Sequence, residues 1–136
     1  MSGLKDRLFK SSAIDAGLLI LRLFFGVSMA LAHGWPKLQR FGDIHTTFPD
    51  PLGVGSSASL VLAIFAELVC AIAVAAGLLF RLSLVPLVIT MFVAVFIIHG
   101  QDPFQKQELA LAYLAAYVAL FLAGPGRYTL DVVMRR

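Results

Sequence analysis

The sequence predicts an all-α fold: an integral membrane bundle of four antiparallel helices, with an ordered outward loop between helices one and two. Three observations carry that expectation. Of 136 residues, 60% are hydrophobic and 14% charged, against about 45–50% and ~25% in a soluble domain. The apolar residues gather into runs long enough for a helix to cross a bilayer core, which takes about 20 residues. Basic residues flank those runs instead of interrupting them, with Arg22 the exception. The mean hydropathy of +0.89 agrees. A single transmembrane domain over 1–136 is expected, with spans at about 13–33, 58–80, 82–99 and 108–123.

The first span, A-I-D-A-G-L-L-I-L-R-L-F-F-G-V-S-M-A-L-A-H, follows a basic segment that reads as a short helix on the membrane surface. It lacks a small-x-small cleavage site, so an uncleaved span is expected. Arg22, Gly26, Met29, Ala30 and His33 share one helical face. Trp35 and Pro36 mark an interface and a helix stop. The segment Lys37–Ser57 holds two prolines and three glycines, so it should be a loop folded back over the end of the bundle.

The second span carries Glu67 near its middle, flanked by Ala63 and Ala71, and closes at Arg81. Pro86 should kink the third span without ending it, and His99-Gly100 should stop it. In the fourth, Glu108, Ala112, Ala115 and Ala119 form a small-residue stripe expected to face the bundle. Gly124-Pro125-Gly126 then breaks the helix.

Basic residues are unevenly divided between the two ends. Lys5, Arg7, Lys10, Arg81, Arg127, Arg135 and Arg136 fall on the side of the termini, and Lys37, Arg40 and Lys106 on the other. The positive-inside rule then places both termini in the cytoplasm. The net charge of +3 anchors spans and gives no ground for a nucleic-acid partner. Cys70 is the single cysteine, which excludes an intramolecular disulfide and paired-cysteine redox chemistry.

An unpaired charge inside a span costs at least ~2.5–3.5 kcal/mol, so Arg22 calls for a partner. Glu67 is the expected one, since each lies eight or nine residues into its span when counted from opposite ends. Such a pair either fixes helix register or contacts a ligand or proton. A second polar group is expected at the loop end: His33, His99 and Glu108, with Lys37 and His45 in the loop above. Facing histidines can bond a quinone carbonyl, a haem or a metal. No zinc-type spacing is present, and no metal is called for. In the tail, Tyr128 should anchor at the interface and Asp131 should meet Arg81 or Arg127.

Taken in order, L-R-L-F-F-G, H-G-W-P-K-L, F-P-D-P-L, F-A-E-L, G-L-L-F-R-L, Q-E-L-A-L and G-P-G-R-Y-T-L-D give the chain a resemblance to the DoxX family over nearly its whole length. Arg22, His33, Lys37, Glu67, Arg81, His99, Glu108, Tyr128 and Asp131 match that family's recurrent polar positions. The resemblance implies a multi-pass protein of the bacterial inner membrane. It also implies a quinone-facing or anchoring subunit of an oxidoreductase system, with partner proteins of that system. Two other readings fit the residues. One is a small proton-coupled transporter or ligand-binding protein using Glu67, working as a homodimer. The other is a structural scaffold held by its buried ions. No catalytic residue is assigned.

Overall fold

A computed structural model describes residues 2–136. Helix α1 is α-helical over Ser2–Met29, widens to a π-helix over Ala30–Gly34, and is α-helical again over Trp35–Gln39. A short helix α2 (Phe41–Ile44) opens the loop. Then come α3 (Ser56–Ala76), α4 (Phe80–Ile98), α5 (Phe104–Ala123) and a tail helix α6 (Leu130–Met134). No strand occurs among the described residues. Helices α1, α3, α4 and α5 are each long and apolar enough to cross a membrane. Both termini and the α3–α4 turn lie at one end, here called the termini end; the long loop and the α4–α5 turn form the loop end.

Several helix boundaries differ from expectation; α5, for one, starts at Phe104 and not near Glu108. Pro36 does not stop α1. The preceding π turn shifts the hydrogen-bond ladder, and Pro36 falls in the first turn of the renewed α-helix, where its missing N–H costs nothing. The basic segment is likewise the start of α1 and not a separate surface helix. Helix α3 stops at Ala76, before Phe80, because Gly77 takes the left-handed conformation (φ 74°). Leu78 N–H then bonds back to Ala73 O at 2.8 Å, the closing bond of a Schellman turn.

Close approach of α1 to α3 sets the bundle. A Cβ on Gly26 would sit 2.7 Å from Ala71 O, and one on Gly34 would sit 2.6 Å from Glu67 O. Gly26, Ala30 and Gly34 are all buried, a small-residue seam spaced by four. The core holds Met29, Leu60, Val74, Leu84, Leu87, Tyr117 and Leu120, while Ile20, Phe24, Ile72, Leu82, Phe92 and Leu122 point outward. An apolar exterior over a packed interior suits lipid as the surrounding solvent.

Helix α5 is rotated from the expected orientation. Tyr113, Tyr117 and Leu120 face the core, and Glu108, Ala112, Ala115 and Ala119 are exposed. The tyrosines win because they bury more area and Tyr117 Oη donates to Phe25 O of α1 at 3.0 Å.

Candidate functional site

Arg22 does not meet Glu67. It is 1% exposed, and its guanidinium points toward the termini end. There Nη1 donates to Pro125 O at 2.7 Å, and Nη2 donates to Tyr128 O at 2.6 Å and to Ala75 O at 3.5 Å. Side chains on a helix lean toward its N-terminus, which carries Arg22 away from Glu67. The seam settles the register: Gly34 is level with Glu67, and Arg22 lies twelve residues earlier, about 18 Å along the axis. Its charge is met by carbonyls at the end of α3 and just beyond α5, where helix dipoles are negative. The Phe80 ring lies 6.0 Å from it.

The rest of the termini end is a knot of similar contacts. Arg81 Nε donates to Phe121 O of α5 at 3.0 Å. Asp131 meets neither Arg81 nor Arg127; its Oδ2 accepts from Leu79 N–H at 3.0 Å. Leu79 is held in the left-handed region (φ 43°), a conformation that bond helps to fix. Arg127 instead pairs with Asp15 at 2.6 Å, and this hydrogen bond raises the Arg127 pKa. Tyr128 packs its ring 6.0 Å from the Arg127 guanidinium and lends its carbonyl to Arg22.

Glu67 has a different partner. Lys37 Nζ lies 2.6 Å from Glu67 Oε2, with no hydrogen-bond donor aligned on that oxygen, so the contact is ionic. The Lys37 side chain leans down its helix and also donates to His33 O at 3.4 Å. Because α1 continues to Gln39, Lys37 belongs to the helix and not to the loop.

His33, Lys37 and Glu67 line a cavity of about 510 Å³ at the loop end. Its walls come from Met29, Ala63, Ala66, Pro86, Ile89 and Met91, and Tyr113, Thr90 and Ser59 add polar atoms. The loop residues Phe48, Pro49, Pro51 and Leu52 cover it, and Lys106 and His99 stand at the rim. The expected folding-back of the loop is therefore observed. Asp50 pins that cover: its carboxylate accepts from Val54 N–H (2.9 Å), Gly55 N–H (2.8 Å) and Ser59 Oγ (2.8 Å). The bond from Ser59, followed by that from Gly55, holds its pKa below the ordinary carboxylate value.

Three helices widen into π segments beside this cavity: Ala30–Gly34, Phe65–Cys70 and Ala94–Ile98. The first carries His33 and the second Glu67. Such widenings aim side chains off the regular helical face and recur at functional sites.

Of the expected loop-end group, His33, Lys37 and His99 reach the cavity, and Glu67 joins them from α3. Nδ1 of His99 is 2.7 Å from Asp102 Oδ2. Glu108 is exposed on α5 and does not line the cavity. His45 stacks on Phe41 and contacts Ser57 Oγ at 3.0 Å. Among the described residues, no three His, Cys, Asp or Glu side chains gather into a metal-binding group. Sequence reasoning missed Asp15, Asp50, Thr90 and Lys106. Only Asp50 had a readable signal, a P-D-P run before G-V-G-S-S, the composition of a side-chain-capped turn.

The DoxX family model matches residues 17–100, well over half of the chain. The protein belongs to the DoxX family. The match takes in α1 from Gly17 onward, the loop cover, α3 and α4, and so includes His33, Lys37, Glu67 and His99. It ends before α5, leaving Tyr113 and the tail that holds Arg22 outside the matched part. No curated protein matches the chain. No solved structure matches it either. With its four apolar helices, this DoxX protein is a multi-pass membrane protein in contact with lipid.

Proposed function

We propose that this DoxX protein is the ligand-holding membrane subunit of an oxidoreductase system, with a quinone-class molecule in the loop-end cavity. One observation supports this most: an apolar chamber of about 510 Å³ carries a single ion pair, Lys37–Glu67, with His33 beside it. A quinone head asks for apolar walls and a few donors to its carbonyl oxygens, and Lys37 and His33 offer such donors. A bound quinone would supply two-electron, two-proton chemistry. The chain's own part is to seat the head, shield it beneath the loop, and hold charge near it. Membership of the family favours a bacterial inner membrane, and the basic residues at the termini end favour placing that end in the cytoplasm and the cavity toward the outer side.

The carrier reading needs a carboxylate free to exchange proton for substrate. Glu67 already has Lys37 in contact, which favours a holding role over a carrying one.

The single Trp35 lies one turn below the loop, half a turn from Lys37, and gives the assay. Titrating the purified protein with a decyl-substituted benzoquinone should quench its fluorescence saturably. The double variant Lys37→Met, Glu67→Gln should lose saturation. Quenching that never saturates in the parent protein, with tailed or tailless quinones, would count against the proposal.

A further inference from the structure

The cavity has a second side. The loop-end half of α3, Ser56–Ile64, packs on the Trp35–Gln39 turn of α1, whereas Ala94–Ile98 of α4 packs on α5. The two helices part there, and the space between them is the cavity. Leu62 of α3 and Ile89 of α4 both line it, and each is 54% exposed, Ile89 bordering the shallow groove toward Val118 and Phe121 of α5 as well. Counted from the loop-end starts of their helices, they lie about 9 Å and 14 Å inward, within the hydrocarbon depth. Glu67 lies slightly deeper, about 16 Å from Ser56. The loop route is covered by Phe48, Pro49, Pro51 and Leu52.

We infer that the cavity opens sideways into the bilayer between α3 and α4, and that its ligand arrives as a tailed, membrane-dissolved amphiphile through a window framed by Leu62 and Ile89. The ligand's polar head reaches Lys37 and Glu67, and its tail stays between the two helices among the lipid chains. Charge supports this occupant: the cations Lys37 and Lys106 line the cavity against the single carboxylate of Glu67, which suits a head rich in acceptor oxygens. Pro86 and Thr90 shape the α4 jamb. Proline leaves the Leu82 carbonyl without its usual donor, and one turn further on Thr90 Oγ1 folds back to donate to the carbonyl of Pro86 itself at 2.7 Å. The inference rests on the proposed ligand site but concerns the route into it.

The test uses the full chain in vesicles of phosphatidylcholine carrying a diazirine midway along one acyl chain, with sites of insertion read by mass spectrometry. An open window predicts labelling of the cavity-lining residues Ala66 and Met91 as well as the outward residues Val69 and Ile72. Ile89→Trp, and separately Leu62→Trp, should abolish the Ala66 and Met91 labels and leave Val69 and Ile72 labelled. Both replacements lie on exposed positions, so folding is kept. Labels confined to Val69 and Ile72 in the parent protein would overturn the window, whatever the quinone titration gives. Interior labels that persist in both Trp variants would overturn the α3–α4 route. Saturable quinone binding alongside either result leaves the proposed function standing and removes only the route.

Discussion

Replacing Gly34 by alanine probes the seam on which the cavity depends. The new Cβ would lie 2.6 Å from both the carbonyl carbon and oxygen of Glu67, where ordinary contact begins near 3.4 Å. The backbones must therefore part by about 0.8 Å, because neither wall is a flexible side chain. Overpacking of this kind costs about 1–3 kcal/mol. The same displacement stretches the 2.6 Å Lys37–Glu67 contact and shifts the π segments that carry His33 and Glu67. Reversible unfolding in mixed micelles would read the stability, and quinone quenching of Trp35 would read the site. Gly17→Ala in the same helix is the control, since nothing lies within 4 Å of a Cβ there; it should be stabilising by about 0.5–1 kcal/mol through helix propensity alone. If Gly34→Ala and Gly17→Ala behaved alike, the close approach of α1 and α3 would be wrong, and with it the geometry assigned to Glu67.

Other perturbations separate the two ends of the bundle. Arg22→Leu strips the donor from Pro125 O, Tyr128 O and Ala75 O at once, a loss of about 3 kcal/mol for charged hydrogen bonds in a buried setting. The freed tail should be cut by trypsin after Arg127 much faster than in the parent, and unchanged cleavage would contradict the knot. Lys37→Met should cost more than Glu67→Gln. The Glu67 side chain is only 7% exposed and would be left without its cation, about 3–5 kcal/mol, whereas Lys37 is 24% exposed and can turn to water; a double-mutant cycle with the reverse order would refute this. The Asp50 pKa is depressed in the folded chain, so its hold on the loop is full above the unfolded carboxylate value and fades only as pH falls through the lower folded value. Amide NMR shifts of Val54 and Gly55 should therefore titrate with a midpoint below 3.8, and a midpoint at or above that value would break the assignment.

The four helices, the covering loop and the family were legible because each rests on local signals: run length, flanking charge, and motif order. The continuity of α4 through Pro86 and the helix break at Gly124 were readable for the same reason. The Arg22–Glu67 pairing failed at a different level. Counting residues from predicted helix ends treats those ends as level, and two of them were misplaced, at Pro36 and at Gly77. Side-chain lean then separates the pair further: Arg22 and Lys37 both lean toward the N-terminus of α1, which carries Arg22 away from Glu67 and brings Lys37 down onto it. The α5 face was misjudged because a stripe of alanines and a stripe of tyrosines both satisfy a helical period. Which one turns inward is decided by Phe25 and Met29 on the neighbouring helix, information absent from α5 itself. Asp15–Arg127 spans 112 residues of sequence, and no local pattern couples them.

A π turn holds one residue more than the α turn it replaces, and one extra residue rotates all that follows by about 100° about the helix axis. The widened Phe65–Cys70 stretch thus acts as a phase shift between the two halves of α3. A relative built with an unbroken α-helix there should be one residue shorter in that span. Aligning it by sliding the sequence, without opening a gap, would set Glu67 against the counterpart of a neighbour, Ala66 or Leu68.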